Sequence, residues 1–269
     1  MYLAVIPTLF KSGRGRIPEI GVELEEAAIG EEELNAYRSI CSFKPGGKVP
    51  STFLHAYIFP LQSILLSHSK FPYPMLGLIH FANSIRQYRE LQVGEKFSAK
   101  CWLGKSYSHE KGQAFDIRCE IRVGRELVWE ESSIILHKGK VGEGELLDWK
   151  QPVLEPTCSK EVWEMPSNLG RRFAKVSGDF NPIHLYPLTA KLFGFKRNIA
   201  HGMWSLGKAL GKYEDKVGES YELTVLFKTP VLLPAKVIYR EQQGVLGYEF
   251  DLVDKNEEKP HLKAYLKPM

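Results

Sequence analysis

Ser177-Gly178-Asp179-Phe180-Asn181-Pro182-Ile183-His184, followed by Gly194-Phe195 and Ile199-Ala200-His201-Gly202-Met203, is the stretch on which the reading of this chain turns. Asp179 and His184 are five residues apart, the wrong spacing for one helical face, where neighbours sit three or four apart. Pro182 pushes Asn181 out of the α region. The spacing predicts an irregular loop in which Asp179 and His184 converge from opposite sides of a turn. Such a pair can hold one water and move protons to and from it. Upstream, Pro166-Ser167-Asn168 opens a helix that runs through Phe173 and Val176. Gly178 ends it by taking positive φ. Leu185 to Phe193 reads as a short helix, and His201 to Leu210 as an apolar one. Gly202, Gly207 and Gly211 each cost up to about 1 kcal/mol against alanine there, so backbone is expected to lie close to a sheet or a ligand. The first-turn N–H groups of that helix lack internal partners and carry its positive end, which favours an oxygen that gains charge.

An isolated aspartate reads as a turn or cap, and an isolated histidine as a satisfied core residue. The whole constellation in order carries more. It resembles the MaoC-like dehydratases, the type 2 (R-specific) enoyl-CoA hydratases, closely over residues 171–213 and more loosely to Met269. The resemblance implies a hot-dog fold, a helix wrapped by an antiparallel sheet. It implies reversible addition of water to a trans-2-enoyl thioester, giving an (R)-3-hydroxyacyl thioester. It places Asp179 and His184 as the catalytic pair, with the division into acid and base left open. It sets Asn181 between them and the Gly202 N–H at the thioester oxygen. Ser205, one turn on, is placed to bond the pair or the thioester. His201 fits substrate binding or the start of the helix equally. Tyr186 stands where the family often has an acid, and Tyr186 and Trp204 read as pocket lining or core. The substrate would be an acyl-CoA or acyl-carrier-protein thioester, with no metal and no redox cofactor. A carrier-protein dehydratase, a silent acyl-CoA-binding protein and a thioester hydrolase are the rival readings.

The rest of the 269 residues is compatible with this. Basic and acidic residues number 36 and 32, too balanced a charge for nucleic acid. Cys41, Cys101, Cys119 and Cys158 show no C-x-x-C spacing, which fits a reduced compartment. Met1 to Phe10 lacks the basic start and the length of a signal peptide, and no apolar run is long enough for a membrane span. A soluble cytoplasmic protein is expected. Gly13-Arg14-Gly15 fails the dinucleotide pattern because Pro18 takes the third glycine position. The basic block Lys11, Arg14, Arg16 reads as a solvated loop before it reads as a phosphate contact.

Strands are predicted at Ile20–Leu24, Phe97–Leu103, Ala114–Val123 and Leu127–Leu136. Four more follow at Tyr221–Phe227, Ala235–Arg240, Tyr248–Val253 and His261–Leu266. Glu31–Ser39 reads as helix, and so does Gly77–Tyr88. Sliding the chain by about 125 residues lays Gly77 over Gly202, a thin repeat carried by periodicity. The expected architecture is α+β, with two tandem hot-dog units forming a pseudo-dimer. These are residues 1–137, a linker at 138–160, and the motif-bearing 161–269. Pseudo-dimers can pair again into a homodimer. The first unit lacks the motif, so one active site is expected, with the first unit giving shape and room for a bulky acyl chain.

Overall fold

The structure, a computed structural model, describes residues 8, 11–13, 15–155 and 158–269. Arg14, the Met1–Phe10 segment apart from Thr8, and Pro156 and Thr157 of the connector lie outside the described residues. The first half runs β1 (Gly21–Ala27), α1 (Glu31–Cys41), β2 (Lys48–Val49), α2 (Ser51–Ser67), β3 (Leu78–Gln87), β4 (Leu91–Gln92), β5 (Phe97–His109), β6 (Gly112–Val123) and β7 (Glu126–Lys138). After β8 (Glu145–Leu146), the second half runs β9 (Ser159–Met165), α3 (Leu169–Ser177), α4 (Pro182–Leu185), α5 (Pro187–Lys191), α6 (Gly202–Gly211), β10 (Tyr221–Phe227), β11 (Ala235–Gly244), β12 (Gly247–Asp254) and β13 (Pro260–Pro268).

The strand order is β1-β5-β6-β7-β3-β10-β13-β12-β11-β9, antiparallel along this path, with the short β8 pairing in parallel with β5. The second half repeats the order of the first in reverse, and the halves join where β3 pairs with β10, Gln87 opposite Tyr221 and Ala82 opposite Leu226. The helices pack on one face. The larger of two hydrophobic clusters draws Leu34 and Phe53 from the first half and Phe173, Trp204 and Leu223 from the second. Burying each such side chain stabilises by about 1.5–3 kcal/mol, so neither half closes its core alone. No helix among the described residues is long and apolar enough to cross a membrane.

Two elements differ from the sequence reading. Gly77–Tyr88, expected as a helix, is the strand β3 at the centre of the sheet. A β-bulge between His80 and Ala82 breaks its alternation, and both its faces are covered. Ile79, Phe81 and Ala82 belong to one cluster and Leu78 and Ile85 to the other. A buried strand with broken period 2 looks like a buried helix. The helix of the first half is instead α2, whose interior Pro60 disguised it. The register that laid Gly77 over Gly202 therefore fails. Ser51, the start of α2, corresponds to Gly202, the start of α6. The segment before α2, Ser42 to Pro50, carries no Asp, Glu or His, so the first half holds no counterpart of the Asp179–His184 loop.

Arg38 fastens the halves together. Its guanidinium is buried on α1, donates to the carbonyls of Lys44 and Lys48, and pairs with Glu214 of the second half. Removing one partner of a buried pair leaves the other uncompensated, which costs about 3–5 kcal/mol. Arg38→Ala is expected to lose that much in denaturant unfolding. A loss below about 1 kcal/mol, the level of an exposed pair, would refute this role.

Candidate active site

Helix α3 ends where Gly178 takes φ 72°, its N–H bonding Ala174 O at 2.9 Å. The chain then turns around Asp179. Asn181 N–H donates to Asp179 Oδ1 at 3.1 Å, and Asn181 Oδ1 in turn accepts from Ile183 N at 3.3 Å, capping α4. Pro182 occupies the first turn of α4, where its missing N–H costs nothing. This one turn carries His184 back over Asp179. The loop is tied down behind: Ile199 N–H bonds Ile183 O at 3.0 Å, and Asn198 Nδ2 reaches Ser167 O and His184 O.

His184 Nδ1 lies 2.9 Å from Ile199 O, so Nδ1 carries the proton and donates. Nε2 is then a bare acceptor in the neutral ring, 3.9 Å from Asp179 Oδ2. His201, the residue before α6, donates from Nε2 to Asp179 O at 3.0 Å and stacks on His184 with ring centroids 3.6 Å apart. Both rings are buried, while the Asp179 side chain keeps 26% of its surface exposed. Burial, with His184 adding to it and Asp179 opposing, pushes His201 down to about 3. Burial also lowers His184 below the ordinary histidine value. Burial raises the Asp179 carboxyl, but His201 and His184 outweigh it and hold it below the usual carboxylate range. At neutral pH the site therefore holds an ionised Asp179 and two neutral imidazoles.

Asp179, His184 and His201 also place ligand atoms within 4.8 Å of one another. Stacked rings direct their in-plane lone pairs side by side, and His184 Nδ1 and His201 Nε2 are already bonded to carbonyls. The set fits hydrogen bonding better than a metal. Gly202 begins α6 with no side-chain cap on its first turn. A Cβ there would lie 2.6 Å from the Phe227 ring, so a glycine is required by close packing.

The matched domain is described as a MaoC like domain, over residues 157–245. Over 252 residues the chain is 32% identical to 3-hydroxyacyl-thioester dehydratase X of Mycobacterium tuberculosis, covering 93% of this chain and 89% of that protein. The chain belongs to the MaoC-like dehydratases. Among solved structures, HtdX of Mycobacterium tuberculosis matches this dehydratase with a TM-score of 0.82 at 30% identity, covering 93% of this chain and all of that one. A stretch of 78 residues is 42% identical to the peroxisomal hydratase-dehydrogenase-epimerase of Neurospora crassa, 29% of this chain and 8% of that protein. The paired halves are the double hot-dog of this dehydratase family.

Of the residues singled out from sequence, Asp179, Asn181, His184 and His201 converge in this MaoC-like chain, with Gly202 next along. Ser205 is buried a turn further on, and its hydroxyl bonds none of the three ionisable groups among the described residues. Tyr186 is exposed under the Arg171 guanidinium at 4.7 Å, and Arg171 also bonds Leu185 O. This cation–π contact ties the loop to α3. Trp204 is core, its indole N–H on Ile40 O. Sequence reasoning missed Asn198, and it missed Gly170, where a Cβ would lie 2.0 Å from His184 O. Neither has a local signal, because both act across the loop.

Proposed function

We propose that this chain catalyses the reversible hydration of a trans-2-enoyl thioester to the (R)-3-hydroxyacyl thioester. One observation carries the reading. Asp179 Oδ2 and His184 Nε2, both acceptors at neutral pH, face each other 3.9 Å apart. They cannot bond directly, but one water can donate a hydrogen to each. That leaves its oxygen lone pair aimed outward, at C3 of a bound enoyl group. As the oxygen–C3 bond forms, the O–H bond toward Asp179 breaks and the carboxylate takes the proton. Electron density moves from the C2–C3 double bond to the thioester oxygen, where the first-turn N–H of Gly202 and the positive end of α6 stabilise it. The protonated Asp179 then returns the proton to C2, and the new 3-hydroxyl still donates to His184. Water has added across the bond, the thioester is intact, and no step calls on a cofactor. The relative named a 3-hydroxyacyl-thioester dehydratase supports this substrate class. The chemistry is the same for CoA and carrier-protein esters.

Offered separate (R)- and (S)-3-hydroxyacyl-CoA, the protein is expected to dehydrate only the (R) hand. Consumption of the (S) hand alone would sink the proposal. The ionisation states predict a pH profile as well. Protonating His184 removes the acceptor that holds the water, and its value lies below 6.5. The acid limb of kcat/KM is therefore expected to be centred below the ordinary histidine value. An acid limb centred above pH 7 would contradict that assignment.

A further inference from the structure

The inner face of β3 and β7 turns polar residues toward α2, where a sheet face covered by a helix is ordinarily apolar. His55 of α2 meets Glu131 at 2.7 Å, Nδ1 to Oε1. Asn83 Nδ2 donates to the same Oε1 at 2.6 Å and to Ser133 Oγ at 3.0 Å, and Ser133 Oγ also donates to that oxygen. His80 stacks on His55, with ring centroids 5.6 Å apart. Asn83 and Ser133 are fully buried and Glu131 is 3% exposed.

The cluster is built. In strict alternation His80 would share a face with Ala82 rather than with Asn83. The bulge between His80 and Ala82 inserts Phe81 and swings His80 to the inner face, a recurring use of bulges beside functional sites. Burial, with His55 adding to it, pushes His80 down to about 4, so the ring is neutral.

Three buried atoms of this cluster have no partner among the described residues: Glu131 Oε2, Asn83 Oδ1 and His80 Nε2. Two are obligate acceptors and the third is a ring nitrogen that can accept. The Asn83 amide and the Ser133 hydroxyl already serve Glu131 Oε1. Buried acceptors left unmet are costly, so the cluster is short of a hydrogen donor. Its position names the donor's carrier. The His80 ring lies 5.0 Å from the Phe227 ring, and Phe227 rests against Gly202. One phenyl ring thus separates the cluster from the start of α6, where the thioester is placed. An acyl chain running from the thioester past Phe227 would meet this cluster.

We propose that His80, Asn83 and Glu131 form a hydroxyl-recognition subsite for the acyl chain, so that the favoured substrates are acyl thioesters bearing a hydroxyl beyond C3. This rests on the acyl-thioester reading above. The substrate hydroxyl donates its one proton to the Glu131 carboxylate oxygen that lacks a partner among the described residues. A plain alkyl chain leaves that oxygen unpaired, and a site built to bond a hydroxyl rejects the analogue lacking it.

The test is a series of trans-2-enoyl-CoA esters of one chain length, differing only in where a single hydroxyl sits beyond C3, beside the plain ester. One hydroxyl position is expected to raise kcat/KM at least tenfold over the plain chain. In Glu131→Gln and His80→Phe that ratio is expected to fall toward one, with melting temperatures followed as a check on folding. Wild type with no hydroxyl position above the plain ester would overturn the subsite and leave the hydratase reading standing; the cluster would then hold an ordered water only. A preference that survives in both folded variants would overturn it equally. No turnover of any ester in the series would instead defeat the acyl-thioester reading, and the subsite with it.

Discussion

Asp179→Asn is expected to lower kcat/KM for enoyl-thioester hydration by about a thousandfold, within the range for removing a positioned acid–base group. The substitution keeps the shape of the side chain. The amide oxygen can still accept from Asn181 N–H, as Asp179 Oδ1 does at 3.1 Å. The other terminal atom becomes an N–H₂ donor facing His184 Nε2, so no water proton can be accepted there. His184→Ala removes the second acceptor, and with it the fixed direction of the water. Because the two act as a unit, the double variant is expected to lose little more than either single one. Steady-state kinetics with melting curves check this. Activity within tenfold of wild type for a folded Asp179→Asn would remove Asp179 from the chemistry.

Gly170→Ala should be nearly as damaging, although Gly170 touches no substrate. Its Cβ would lie 2.0 Å from His184 O and 2.9 Å from His184 C, both backbone atoms. No rotamer relieves that contact, so α3 and α4 must part by more than 1 Å to approach the ordinary spacing of 3.4 Å. A displacement of about 1 Å at a reacting group can cost about a hundredfold in rate. Overpacking of this kind also costs about 1–3 kcal/mol in stability. The expected result is a hundredfold fall in kcat, a smaller change in KM and a lowered melting temperature. Wild-type kcat in Gly170→Ala would show that the position of His184 is not set by α3.

The site was legible where its chemistry is local. Gly178 at a helix end, Pro182 opening a turn and Asn181 beside it describe one loop, and the structure folds it that way. The strands from Tyr221 onward were legible because their alternation is regular. Elsewhere tertiary contacts overrode local pattern. Pro60 hid the long helix of the first half, and the bulge at Phe81 made a central strand resemble a helix. The bond from His201 to Asp179 O spans 22 residues, and the contact that requires Gly170 is with a carbonyl in another element. His55, His80, Asn83, Glu131 and Ser133 come from three elements, α2, β3 and β7, and are unremarkable one at a time. Only the paired strands and the helix across them make these five a cluster.

The most direct measurement follows enoyl-thioester absorbance in the ultraviolet, with free thiol assayed in parallel. The substrates are a short and a long trans-2-enoyl-CoA, the matching carrier-protein esters, and a saturated acyl-CoA. The enoyl absorbance is expected to fall with the thioester intact, and the saturated ester to stay untouched. Thiol release from the saturated ester, or unchanged absorbance with every enoyl ester, would contradict the hydration of an enoyl thioester.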